Sequence, residues 1–200
     1  MRQRNKPGEF SEVLGWSSPF DMVCKLESEL ERIDNAKMLR ERVEHTMNFA
    51  LTAYHITEWI WALLKESPTD DNKRRERASW LAVIGCEPET KEKLMQWVEN
   101  RCPEIKYCRQ LANATKHLSC RLKEGTSTAE FEVAATGEWE QKTAEEPFKS
   151  ILDSHRAENW QLILIDGEKR LNLIAIFRDR VFEFWSDLTH RIYIGDDSDY

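Results

Sequence analysis

The sequence has few cysteines and lacks any CxxC pair. Its five cysteines are also odd in number. A disulfide framework needs paired cysteines, and a structural zinc site needs closely spaced Cys or His ligands. We therefore expect neither a disulfide framework nor a metal site. The cysteines are expected to be reduced thiols in the core: Cys24, Cys86, Cys102, Cys108 and Cys120.

A long uninterrupted apolar run is also missing. The most apolar stretch, residues 49–64, contains polar side chains that include Thr52, His55 and Glu58. The first ten residues, MRQRNKPGEF, are charged and lack the apolar segment of a signal peptide. Membrane spans and secretory signals both need such segments. The pattern predicts a cytoplasmic protein with no membrane partner.

Positive charge is scarce, because 29 Lys and Arg face 36 Asp and Glu, giving a net charge of −7. Broad attraction to nucleic acid requires a surplus of cations opposite phosphates, so only a local patch could bind RNA. The strongest positive run is NKRRER at 72–77, where Lys73, Arg74, Arg75 and Arg77 are candidate RNA-binding residues. The alternative is an ordinary solvated helix start.

Several familiar catalytic motifs are absent. The chain contains no GxxxxGK[ST] phosphate loop, no GxGxxG, no HExxH and no GxSxG. P-loop nucleotide hydrolysis, zinc proteolysis and α/β-hydrolase chemistry are therefore unsupported.

What the chain does contain predicts a mainly α fold: a bundle of about six helices with a β-ribbon or hairpin inserted before the last helix. Two hundred residues, 40% of them apolar, fit one domain with a sizeable core, and eight Trp and eight Phe should dominate its packing. The predicted divisions are a polar lead (1–17), a helical bundle (18–124), a β-ribbon (128–173), a final helix (174–192) and a frayed acidic tail (193–200).

Capping and periodicity place the helices. Ser18, Pro19 and Asp21 form an N-cap, an N1 proline and a capping-box acid. This first helix should end near Asn35 and leave polar residues such as Glu29 in water. Later helices are expected at 37–66, 73–85, 89–101 and 103 to about 123. The second half of the 37–66 helix is apolar on all sides, which predicts a central position in the bundle.

Strand signals follow the fifth helix. Phe131, Val133 and Ala135 alternate with their neighbours, as in a half-buried strand. Two β-rich runs then flank Asp166-Gly167, a common hairpin signal, so 160–173 should form a hairpin.

The stretch RQLANATKH places Arg109, Asn113 and His117 at steps of four. On a helix such residues form one slanted polar stripe. The stretch resembles the Arg/Asn/His signature of HEPN domains, the "higher eukaryotes and prokaryotes nucleotide-binding" helical bundles. The chain also resembles uncharacterised bacterial proteins that pair AYHxxxW with LANxxKH, here AYHITEW (53–59) and LANATKH (111–117).

The HEPN resemblance implies a metal-independent ribonuclease without a cofactor, often formed across a dimer. His117 would handle the proton of the ribose 2′-hydroxyl, Arg109 would stabilise charge on the phosphate, and Asn113 would orient them. Seven residues lie between Arg109 and His117, a wider gap than is usual in the family. This spacing requires a homodimer or a kinked helix.

A structural interpretation of the stripe stays open. Asn113 and His117 could instead bond to neighbouring helices and fix their register. The 37–66 helix carries a second polar stripe, Glu44, Asn48, His55 and Glu58, but no ExxH pair for a metal. His55 and Glu58 are expected to be structural polar contacts, with a buried His55 facing His117 or Asn113.

Two functions are thus predicted. The first is a HEPN-like module in RNA processing, stress response or phage defence, with metal-independent endoribonuclease activity. The alternative is a catalytically silent interaction domain that binds a partner protein. The aromatic excess, with Trp16, Trp139 and Trp160 in segments expected to be peripheral, also suggests that a second copy covers an apolar patch.

Overall fold

The computed structural model describes residues 18–68, 70–117, 129–135 and 155–193. The predicted polar lead, and the predicted tail beyond residue 193, lie outside these residues. Five helices come first: α1 (Pro19–Asn35), α2 (Leu39–Lys65), α3 (Asp71–Ile84), α4 (Lys91–Arg101) and α5 (Ile105–His117). Three strands follow: β1 (Ala129–Ala135), β2 (Trp160–Asp166) and β3 (Lys169–Asn172). The C-terminal helix, residues 173–193, consists of α6 (Leu173–Ile176), a π-helical segment (Phe177–Phe182) and α7 (Glu183–Tyr193).

The predicted fold class is confirmed: a helical bundle carries a small antiparallel β element before its last helix. The start of α1 also follows the prediction. The Asp21 backbone N–H donates to Ser18 Oγ at 3.3 Å, and Asp21 Oδ2 accepts from the Ser18 backbone N–H at 2.9 Å. This reciprocal capping satisfies two N–H groups that the first turn leaves without helical partners.

Helix α2 is the central helix, as predicted. It packs against α1, α3, α4, α5 and the π-helical segment. Its second half is buried on most sides through Phe49, Ala50, Ala53, Ile56, Ile60, Leu63 and Leu64. The absence of Gly and Pro from this stretch lets one long helix supply contacts to most of the bundle.

The prediction for Glu29 is wrong. Its side chain is only 3% exposed and lies between two nitrogen atoms that bond to it: Arg32 Nη1 at 2.8 Å and His45 Nδ1 at 3.0 Å. The helical period placed Glu29 beside the solvent-facing positions of α1, but α2 covers this part of α1 and supplies His45. A buried carboxylate is tolerated because both partners bond to it.

The cysteine prediction holds only in part. Cys102 and Cys108 are buried thiols, whereas Cys24 and Cys86 are exposed. Cys24 lies on the outer side of α1, and Cys86 lies two residues beyond the end of α3, so neither reaches the core. Cys120 lies outside the described residues. Burial raises the pKa of the Cys102 thiol to about 12, which keeps it protonated and unreactive.

The β element is a three-stranded antiparallel sheet with β2 in the middle. The hairpin exists, but its turn lies one residue later than the sequence predicts. Asp166 still pairs with Lys169, so the two loop residues are Gly167 and Glu168. Gly167 has φ of 63°, a left-handed conformation that glycine adopts without strain, and this fixes the turn there.

The sheet shares the core of the bundle. Leu162 and Leu164 of β2 belong to the same apolar cluster as the helices. Two side chains of α5 bind Asp166 at the hairpin, Tyr107 Oη at 2.5 Å and Lys106 Nζ at 3.1 Å. These bonds hold the hairpin against α5, the helix that carries the predicted polar stripe.

Candidate functional site

Helix α5 is a mostly buried helix that leaves part of one side accessible. Its inward residues are Ile105, Tyr107, Cys108, Gln110, Leu111 and Ala112. Arg109 and Asn113 are only half-buried. The predicted stripe is therefore partly accessible at these two positions, on a helix whose other described side chains are buried except for the half-buried Lys106.

Arg109 is engaged in an ion pair. Its Nε donates to Glu99 Oε1 of α4 at 2.9 Å, and the two side chains are 34% and 26% exposed. The bond is a second link between α4 and α5, in addition to the short loop that connects them. It also means that an anionic ligand of Arg109 would have to compete with a carboxylate.

Of the other two residues of the stripe, the structure describes the side chain of Asn113 but only the backbone of His117. The Asn113 side chain is half-buried and makes no hydrogen bond to another described residue. The expected clamp between helices is therefore not formed by the described part of the chain. His117 is the last residue of α5, and its side chain lies outside the described residues. Eight residues of helix place the Cα atoms of Arg109 and His117 about 12 Å apart along the axis.

A second polar cluster lies where α2 meets the start of α4. The Glu58 carboxylate uses both oxygens: Oε2 lies 2.5 Å from His55 Nδ1, and Oε1 accepts from Lys91 Nζ. We call these three residues the His55 cluster. The ring of Tyr54 lies beside the imidazole, with centroids 5.4 Å apart.

The expected polar contact of His55 and Glu58 exists, but the expected burial of His55 is wrong. Its side chain is 37% exposed, because it lies at the rim of the bundle beside Glu58, which faces the start of α4. Its described hydrogen-bond partner is Glu58 of its own helix rather than Asn113. The proposed pairing with the His117 side chain lies outside the described residues.

The charges of the cluster follow from its bonds. Burial raises the pKa of Glu58, but hydrogen bonds from Lys91 and His55 lower it by more, so the net pKa lies below its ordinary value. The same bond to Glu58 raises the pKa of Lys91. Glu58 is thus an anion at neutral pH and can only accept hydrogen bonds. His55 Nδ1 must then carry the proton, and Nε2 is the ring nitrogen that faces no described partner.

The basic cluster lies at the start of α3. Lys73, Arg74 and Arg75 are exposed, and Arg74 pairs with Asp71 at 3.0 Å. Arg77 has a structural role instead. Its Nε donates to the Leu64 carbonyl at 2.9 Å and its Nη2 to Glu87 Oε1 at 3.1 Å, which ties α3 to the end of α2. Only the first three cations are placed to meet an external ligand.

Sequence reasoning missed Lys91 and Glu99, the two residues of α4 that contact the candidate residues. Both look like ordinary surface charges of an amphipathic helix, and nothing local identifies their partners on α2 and α5. Glu44 and Asn48, at the other end of the α2 stripe, are exposed as a solvated face should be. Across the described ranges, no three His, Cys, Asp or Glu side chains are grouped to hold a metal ion.

None of the described helices combines the length and apolarity needed to cross a membrane. No family model matches the chain, and no curated protein or solved structure shows significant similarity to it.

Proposed function

We propose that the protein is a cytoplasmic, HEPN-like module that acts on RNA in RNA processing, stress response or phage defence, and that it cleaves RNA without a metal ion. The observation that supports this function best is the partial exposure of Arg109 and Asn113 on a helix whose other described side chains are mostly buried. Polar side chains that stay partly accessible among buried neighbours are available to a ligand.

The roles of the stripe follow from its chemistry. The His117 imidazole takes the proton of the ribose 2′-hydroxyl, since histidine titrates near neutral pH. The Arg109 guanidinium leaves Glu99 and binds the phosphate, where it stabilises the charge of the transition state. Asn113 orients these groups. Lys73, Arg74 and Arg75 bind the RNA backbone elsewhere on the chain.

Cleavage of a structured RNA in the presence of EDTA tests this function. We expect the wild-type protein to cleave, and His117→Ala and Arg109→Ala each to lose about 10²- to 10⁴-fold in rate, the usual contribution of one proton-transfer or charge-stabilising group. Two matched controls, the exposed His190→Ala and Arg156→Ala, should cleave at the wild-type rate. A wild-type protein that cleaves no RNA in EDTA would contradict the proposal.

The Arg109–Glu99 ion pair supports a second candidate, a catalytically silent domain that binds a partner protein. In that case Arg109 serves to fix α4 on α5. Arg109→Ala would then lower the free energy of unfolding. The wild-type protein, Arg109→Ala and His117→Ala would all fail to cleave RNA. Arg109→Ala loses the bond to Glu99 under either function, so cleavage of RNA by the wild-type protein in EDTA, rather than urea unfolding, distinguishes the two functions.

A further inference from the structure

Helix α5 carries two carboxamide side chains, those of Gln110 and Asn113, and neither makes a hydrogen bond to another described residue. Gln110 is only 9% exposed, and its Oε1 is a buried acceptor without a donor in the described part of the chain. Such an acceptor costs free energy until a ligand supplies an N–H group. The hydroxyls of Thr52 and Thr57 are also buried without partners, but these residues are at most 1% exposed and lie beyond the reach of a ligand.

Gln110 differs from these threonines because it lies at the edge of the accessible side of α5. At about 3.6 residues per turn, an arc of about 100° on this helix contains four polar residues: Lys106, Arg109, Gln110 and Asn113. Lys106 binds the hairpin, and Arg109 binds α4. Gln110 and Asn113 are three residues apart, so their Cβ atoms lie about 5 to 6 Å from each other. The two amides are therefore neighbours between the hairpin and α4, beside two cations.

The chemistry of two neighbouring amides points to one kind of ligand. A carboxamide offers one acceptor oxygen and two N–H donors, and it pairs with adenine where the 6-amino group lies beside a ring nitrogen. Adenine has two such edges, because one amino N–H lies beside N1 and the other beside N7. Cytosine and uracil can each fill one amide in this way, and the second suitable edge of guanine lies against the ribose. Only adenine presents both edges away from the sugar.

We infer that Gln110 and Asn113 bind the base of an unpaired adenosine, so that the site prefers adenine over the other three bases. The inference rests on the proposed function, in which RNA is the substrate, and unpaired bases are the ones that proteins read by their edges in RNA. Gln110 Oε1 accepts one N–H of the 6-amino group, and Asn113 Oδ1 accepts the other. Each amide nitrogen donates to the adjacent ring nitrogen. Asn113 keeps a second N–H for its orienting role.

The stability of Gln110→Met tests whether the amide serves the fold. Methionine has a similar length and removes both polar atoms. Because the buried oxygen has no described donor, we expect the variant to unfold at the same urea concentration as the wild-type protein or at a higher one. Gln96→Met, at an exposed position of α4, is the matched control. A lower midpoint for Gln110→Met than for the control would assign the amide to the fold and overturn the inference.

Binding of short 2′-O-methylated oligonucleotides tests the base preference, because they have no 2′-hydroxyl proton and are not cleaved. Fluorescence anisotropy in EDTA at one fixed salt concentration gives the dissociation constants. The wild-type protein should bind a uridine oligonucleotide with one central adenosine about 5- to 150-fold more tightly than the all-uridine oligonucleotide, the discrimination of one additional bidentate pair. Gln110→Met and Asn113→Ala should bind both with nearly equal affinity, because a single amide pairs equally well with uracil. Gln96→Met should keep the preference.

The outcomes separate this inference from the proposed function. Equal affinity of the wild-type protein for the four central bases, or an adenine preference that survives in Gln110→Met, would overturn the inference even if the protein cleaves RNA in EDTA. A preference for adenine in a wild-type protein that cleaves no RNA would support this site and contradict the cleavage. A protein that binds none of the oligonucleotides would overturn the inference and leave the two amides to a partner protein.

Discussion

Glu29 is the most deeply buried acidic residue among those that the structure describes. It is 2% exposed as a residue, and its carboxylate is held by Arg32 from its own helix and by His45 from α2. The His45 bond is a polar link between α1 and α2, beside their apolar packing. Since a buried carboxylate depends on its partners, the loss of one should affect the stability of the whole bundle.

We therefore expect His45→Ala to lower the free energy of unfolding by about 1 to 3 kcal/mol, the cost of leaving a buried acceptor without its donor. Urea unfolding measures the change. The matched control is Glu44→Ala, the next residue along α2, whose pair with Arg40 is long at 3.8 Å and exposed. That variant should change stability by less than about 1 kcal/mol, as exposed pairs do. Equal effects of the two substitutions would show that Glu29 does not depend on His45.

The Glu58–Lys91 bond makes the contact between the helices α2 and α4 sensitive to acid. Glu58 has a folded-state pKa below its ordinary value of 4.5, so the unfolded chain binds a proton at higher pH than the folded chain does. The contribution of this carboxyl to stability is therefore fully present above pH 4.5 and is lost as the pH falls through the folded-state pKa.

Glu58→Gln should accordingly flatten the acid side of the stability profile. Free energies of unfolding measured in urea between pH 3 and pH 7 should fall more steeply for the wild-type protein than for the variant. Glu44→Gln, an exposed carboxyl on the same helix, should keep the wild-type slope. Parallel profiles for the wild-type protein and Glu58→Gln would contradict the role assigned to this bond.

Elements were predictable to the extent that their signals are local. Three such signals predicted elements that form. The capping box of Ser18 begins α1, the stretch without Gly or Pro forms α2, and the glycine of Asp166-Gly167 lies in the turn of the β2–β3 hairpin. The turn shifted by one residue because Asp-Gly does not specify which residue takes the left-handed position. The π-helical segment Phe177–Phe182 has no local signal, since its residues repeat at ordinary helical spacing.

The candidate site was less predictable because its contacts join distant segments. The steps of four identified Arg109 and Asn113, and the structure leaves both accessible. Glu99, the partner of Arg109, and Lys91, the third residue of the His55 cluster, both lie on α4. Their contacts depend on how α4 packs against α2 and α5, which the periodicity of the sequence does not encode. The apolar neighbours of His55 suggested burial, but the position of Glu58 keeps the imidazole at the rim.

Most of the described Trp and Phe side chains pack in or against the core of a single protomer. Trp160, expected at the periphery, is 3% exposed, and Phe20 is the one large apolar side chain that is exposed among the described residues. Trp16 and Trp139 lie outside those residues. A second copy is therefore not required to cover the described surface. The argument for a dimer comes from the stripe, whose arginine and histidine are about 12 Å apart along one helix.

If the site combines Arg109 of one copy with His117 of the other, two inactive variants should restore activity when mixed. Arg109→Ala and His117→Ala mixed in equal amounts, after exchange of subunits, would form half of their dimers as heterodimers, each with one of two sites intact. About a quarter of the wild-type cleavage rate should return, as expected for a twofold-symmetric assembly with random exchange. Light scattering of the same mixture should show a dimer. A monomer at high micromolar concentration, or a mixture as inactive as its components, would place both residues of any active site in one chain and would require α5 to bend.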